Sequence, residues 1–283
     1  MKRWSWVIVL SLFLTGCGTQ FAYNNLDWLI HWYVDDFIDL NRTQTKVFDE
    51  DFKQWHQWHR SEELPKYHAH LKIIKAQIQD KSLTEVELEQ HLLDIRRYWE
   101  TLRDRVSPDL AAMATTLSEK QIAALFEQLQ EDNDDQQEEH DEFYAMSEDE
   151  RSKDRFKRLE KELKEWIGKL TPEQKAIVKR YQPEFKRNWQ NWIDFHQTMR
   201  DAAKTLFDER ETNPNFEAQL LHLMTHPEAY RSEEMIANSD FNRALYSQLT
   251  AEVLLILTPK QTRRLVVKIE DYIEDFEVLI ANE

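Results

Sequence analysis

Glycine is almost missing from this chain: Gly16, Gly18 and Gly168 are all that 283 residues contain. Hairpins, phosphate-binding loops and the tight turns of α/β folds depend on positive φ, which glycine supplies without steric cost. Three glycines cannot serve many such turns, so the accessible fold is helical. Leu, Glu, Gln, Lys, Arg and Ala, all good helix formers, dominate the rest. The sequence therefore predicts an all-α, elongated helical protein. Its fourteen Phe, nine Tyr and ten Trp supply the apolar area to stabilise it, since one cysteine allows no internal disulfide.

That cysteine has its own context. Met1-Lys2-Arg3 is a positive start, and Trp4 to Leu14 is an apolar run of eleven residues. This is short of the ~20 needed to span a bilayer and suits a secretory leader. Leu14-Thr15-Gly16-Cys17 follows directly and resembles the bacterial lipobox. The resemblance implies removal of residues 1–16 and acylation of Cys17 by diacylglycerol and palmitate, with residues 17–25 as a lipidated tether. Gly18, rather than Asp, implies by the same family's sorting rule an outer-membrane anchor facing the periplasm. An ordinary leader with a chance cysteine is the alternative. Loss of Lys2 and Arg3 takes the net charge from −16 to −18. Such a surface repels phosphate backbones, so nucleic acid is not an expected partner. The expected partners are the membrane, through lipid on Cys17, and protein clients or a protein partner.

A five-residue pattern recurs. Leu117-Ser118-Glu119-Lys120-Gln121, Leu170-Thr171-Pro172-Glu173-Gln174 and Leu257-Thr258-Pro259-Lys260-Gln261 share it, and Leu40-Asn41-Arg42-Thr43-Gln44 is a weaker copy. Each reads as a capping box. Ser, Thr or Asn at N-cap accepts the N3 backbone N–H, and Gln at N3 reaches back to the N-cap N–H. Pro172 and Pro259 fall at N1, where a missing N–H costs nothing. The spacing of the copies, with aromatic runs such as Phe52 to His59 and Phe185 to Trp192 after the first and third, points to a tandem duplication. Residues 26–167 form a first repeat unit and 168–283 a second, with Gly168 ending a helix at the boundary.

Candidate chemistry is sparse. His56, His59, His68 and His70 could be read as a zinc site, but Pro65 is expected to break the helix between the pairs, and no H-E-x-x-H or cysteine accompanies them. Amphipathic histidines beside Trp55 and Trp58 are the preferred reading, so no metal, cofactor or catalytic residue is assigned. Glu131 to Glu142 holds eight acids in twelve residues and reads as a solvated loop or frayed helix end. The Trp pairs at helical spacing (Trp28/Trp32, Trp55/Trp58, Trp189/Trp192) read as core, with an exposed client-binding face as the alternative. Signatures of hydrolases, P-loops and dinucleotide folds are absent, and a non-enzyme is expected.

Tyr23-Asn24-Asn25-Leu26-Asp27-Trp28 followed by Asp35-Asp36 resembles a family of uncharacterised proteobacterial lipoproteins. The Leu-Thr-x-x-Gln recurrence resembles the periplasmic Spy/CpxP group, helical envelope-stress proteins with two such motifs per subunit that dimerise into a curved cradle. That resemblance implies two fused subunits, a Spy-like pseudo-dimer, with chaperone-like or stress-related binding. Leu117, Ser118, Gln121, Leu170, Thr171, Gln174, Leu257, Thr258 and Gln261 are its structural motif residues. A structural or assembly lipoprotein docking on an outer-membrane partner complex is the second reading.

Overall fold

The computed structural model describes residues 16–281, and these are almost entirely helical. Residues 1–15 of the expected leader, 1–16, lie outside them. The elements are α1 (Gly16–Asn24), α2 (Leu26–Asp35), α3 (Arg42–Trp58), a π-turn (His59–Glu63), α4 (Leu64–Gln79), α5 (Glu85–Ala114), α6 (Glu119–Ala145) and α7 (Glu148–Ile167). They continue with α8 (Pro172–Tyr181), α9 (Trp189–Glu209), α10 (Phe216–Thr225), α11 (Glu233–Leu255) and α12 (Pro259–Ala281), with 3₁₀ turns at Gln182–Glu184 and Pro227–Tyr230.

The four expected capping boxes open α3, α6, α8 and α12. Asn41, Ser118 and Thr171 each accept the N3 backbone N–H while Gln44, Gln121 and Gln174 close the box. Thr258 and Gln261 exchange the same two bonds, at 3.3 and 3.0 Å. Thr84/Glu87 and Ser147/Glu150 form two further boxes, with Glu in place of Gln. Gly168 ends α7 at φ 79°. At the end of α4 the left-handed position falls on Lys81, at φ 56°. Its N–H is donated to the Ile78 carbonyl and that of Ser82 to the Gln77 carbonyl. This end pairing is a glycine's role filled by a lysine. Lys81→Gly is expected to raise stability by about 1 kcal/mol, read as a higher urea midpoint.

The described helices group into two compact units, residues 16–82 with 262–281 and residues 83–261. These are not the halves 26–167 and 168–283 read from the sequence. In unit 1, α2 packs on α3, and Tyr23, Leu64 and Leu279 form a buried cluster. Of residues 17–25, expected as a tether, all but Asn25 are helical here, with Thr19, Ala22 and Tyr23 buried. In unit 2, α5 packs on α10 and α11, α6 on α9, and α8 on α7 and α11. Ala111, Val178, Leu249 and Val253 are buried completely or nearly so.

Two local expectations need correction. Pro65 does not break the helix: the chain stays helical from Arg42 to Gln79, because the π-turn lets Leu64 N–H reach the His59 carbonyl just before the proline. Nor is the acidic run a loop; it lies inside α6. Gln128, Gln130 and Gln137 each donate to the aspartate four residues on, at 3.0, 2.6 and 2.8 Å. Those i,i+4 pairs hold the helix locally. Asn133, buried in its midst, donates to Gln197 of α9 at 3.2 Å.

Candidate functional site

The third and fourth motifs meet inside unit 2. Gln174 Nε2 donates to Gln261 Oε1 at 3.0 Å, and Gln261 Nε2 returns a bond to Gln174 Oε1 at 2.8 Å. Each Oε1 also accepts from the N-cap N–H of its own box, Thr171 or Thr258, at 2.9 and 3.0 Å. Gln261 Nε2 reaches the Lys169 carbonyl as well, at 3.1 Å. Two helix starts are thus locked by one buried amide pair, with Gln174 at 0% exposure. Here glutamine does what glutamate could not: the same oxygen closes the box while the NH₂ group supplies the donors for the partner. Leu117 and Leu170 are buried in front of their caps. Gln44, in unit 1, is buried too, whereas Gln121 is only partly covered. The two Glu-closed boxes, Thr84/Glu87 and Ser147/Glu150, make exposed bonds.

Unit 1 has a polar interior around Tyr23. The Tyr23 hydroxyl bonds His59 Nδ1 at 2.9 Å, and the His56 and His59 rings lie 4.6 and 5.8 Å from the phenol ring. Burial pushes the Tyr23 phenol up to about 12, against the pull of Arg60. Burial also lowers His59 to about 4, with Glu63 opposing and His56 adding to the shift. His56 is lowered as well, by burial first and then by Arg60. The protonated phenol is therefore the donor, and neutral His59 accepts at Nδ1. Glu63 is 1% exposed; Lys66 Nζ bonds its Oε1 at 2.6 Å, while Oε2 has no partner among the described residues. His68 faces Glu277 at 2.8 Å and His70 is buried. Of the four candidate histidines, His56 and His59 thus share Tyr23, while His68 turns to Glu277.

The tryptophans divide against expectation. Trp55 is buried and Trp58 and Trp189 are partly covered, but Trp28, Trp32, Trp99, Trp166 and Trp192 are exposed. Helical spacing cannot tell a stripe facing the core from one facing outward. Phe21, Trp28 and Trp32, 69%, 67% and 44% exposed, stand seven and four residues apart. The backbone ladder continues across Asn25, whose N–H bonds the Phe21 carbonyl and whose carbonyl accepts Leu29 N–H. The three rings consequently share one face. That face begins four residues after Cys17, which lies in α1. No described helix is long and apolar enough to cross a membrane.

Sequence reasoning missed the Gln174–Gln261 pair, the Tyr23–His59 bond and the buried Glu63. One signal was available for the first: Gln, rather than the commoner acid, at the N3 positions. Capped helices, amide-locked helix starts and outward aromatic rows together define an all-α protein. The chain belongs to the family of unknown function DUF6279, which it matches over residues 36–235. The match takes in the motifs at Asn41, Ser118 and Thr171 and stops short of Thr258. No curated protein and no solved structure matches the chain.

Proposed function

We propose that the chain is a lipid-anchored, non-enzymatic binding protein of the cell envelope. Acyl chains on Cys17 hold it to the periplasmic face of the outer membrane, and its work is chaperone-like capture of apolar client segments. The observation that carries this reading is aromatic exposure: Trp99, Trp166 and Trp192 in unit 2 are 64%, 42% and 37% exposed, surface that a bound apolar segment would cover. Phe21, Trp28 and Trp32 support the anchor, because aromatic rings suit the headgroup level of a bilayer. The acidic surface adds no attraction to anionic lipid, so attachment rests on the acyl chains. The likeness to Spy/CpxP extends the reading, with the Leu-Thr-x-x-Gln motifs as helix joints and the tandem repeats as a pseudo-dimer.

Two measurements test it. Metabolic labelling with an alkyne palmitate is expected to mark the wild-type chain in the membrane fraction, and Cys17→Ser to abolish the mark. An unlabelled wild type overturns the anchor. Residues 18–283 are expected to suppress aggregation of a chemically denatured test protein, several-fold less well with Trp99→Ser and Trp166→Ser combined. No suppression, with one stoichiometric partner recovered by crosslinking in the envelope, overturns the client reading in favour of a docking lipoprotein.

A further inference from the structure

Unit 2 holds a cavity of about 260 Å³ between the last turn of α6, the first half of α7 and the segment leading into α9. Its walls carry two chemistries. Phe143, Tyr144, Phe185 and Trp189 make an apolar side. Arg155, Arg158, Lys186 and Arg187 make a cationic side against one lining carboxylate, Glu148. This local surplus runs opposite to the chain's net charge of −16.

The arginines already handle a carboxylate. Arg155 donates to Glu148 Oε1 at 2.6 Å, Arg151 to Oε2 at 2.9 Å, and Arg187 approaches Oε2 at 3.4 Å. These bonds hold the Glu148 carboxyl down at about 2, Arg155 contributing most. They do not exhaust the donors. Arg155 and Arg187 each engage Glu148 through Nη2 alone, leaving N–H groups with no acceptor among the described residues. Arg158 is paired with Asp154 at 2.7 Å and lies over the Phe143 ring. Arg151 and Arg187 lie 5.3 and 5.5 Å from the Tyr144 ring centroid, which keeps their guanidinium groups in place. Gln182, lining the same cavity, is 6% exposed. Its Oε1 accepts from the Ser152 hydroxyl at 3.1 Å, but its Nε2 has no acceptor among the described residues. A buried amide donor left so costs its full desolvation, which a ligand oxygen would relieve.

We propose that this cavity is a site for a peptide carboxylate. Arg155 and Arg187 grip the anion, Gln182 Nε2 adds a hydrogen bond, and the attached residue packs on Phe143, Phe185 and Trp189. The volume lies below the ~300 Å³ at which small-molecule clefts begin, and it matches one amino-acid residue rather than a length of chain. The carboxylate comes from a chain end or from an acidic side chain. Glu148 competes for the same arginines and sets the affinity. The assignment is independent of acylation at Cys17, so the leaderless chain, residues 18–283, suffices to test it.

The test uses three dye-labelled hexapeptides in fluorescence polarisation: one ending in Phe with a free carboxylate, the same peptide amidated, and an amidated version with one internal Glu. The free acid is expected to bind at least about tenfold more tightly than its amide, with affinity falling as salt rises. Binding of the third peptide as tightly as the first assigns an acidic side chain as the source, and binding as weak as the amide assigns the chain end. Arg155→Gln and Arg187→Gln are each expected to lower affinity several-fold, and Glu148→Gln to raise it. Arg187 is 62% exposed, so its replacement keeps the fold, which helicity checks. Equal affinity for acid and amide, no binding of any peptide, or unchanged affinity in both arginine variants overturns the proposal.

Discussion

Gln174→Glu is expected to cost about 3 kcal/mol, although glutamate is as good as glutamine at the third position of a capping box. The substitution keeps an oxygen for the Thr171 N–H but removes the NH₂ donor to Gln261. It also sets a carboxylate against Gln261 Oε1 at a site with 0% exposure. A lost buried hydrogen bond, the repulsion between two oxygens and a buried charge without a counter-ion all act in one direction. Gln121→Glu is the control: its box makes exposed bonds, and the change should stay within about 1 kcal/mol. Urea unfolding of both variants decides the matter. Similar midpoints for the two would mean that the buried amide pair contributes nothing beyond the caps.

The second large effect is on pH. His59 is lowered to about 4 in the folded chain from an ordinary value of 6.5. Its unfolded state thus binds the proton first, and stability, complete above about pH 6.5, declines as pH falls toward 4. The shift corresponds to about 3 kcal/mol, and His56, lowered in the same direction, adds to it. Protonation also turns Nδ1 from acceptor to donor, so the Tyr23 hydroxyl loses its acceptor. Urea midpoints between pH 7 and pH 4.5 should fall steeply for the wild type and less steeply for His59→Gln. Parallel declines would place the titrating groups elsewhere.

Local signals were legible in the sequence wherever a residue acts within one turn of itself. Thr171, Ser118 and Gly168 announce helix ends through bonds that span three or four residues, and the structure places those ends accordingly. Long-range complementarity was not legible. Gln174 and Gln261 stand 87 residues apart, and nothing in either motif names the other. The acidic run was misread because its acids were counted without the glutamines that bind its aspartates at i,i+4. The tryptophans were misread because period 3.6 gives a stripe and not its direction. The cationic cavity was hidden by averaging: Arg151, Arg155 and Arg187 vanish in a chain of strongly negative total charge, and only folding collects them around Glu148.

The π-turn at His59–Glu63 carries a consequence for how this chain can change length. A π-turn is an α-helix holding one surplus residue. Deleting exposed Ser61 would let α3 and α4 run together in plain α register, a local gain in hydrogen-bond geometry. The wider π-turn already takes up that residue, so the helix beyond it would keep its place on the axis. Leu64, His70 and Ile78, all buried, would stay on the side they now cover, whereas a deletion within α4 itself would turn the residues after it by about 100°. The stretch thus carries one spare link, at the π-turn, and its residue count is fixed everywhere else.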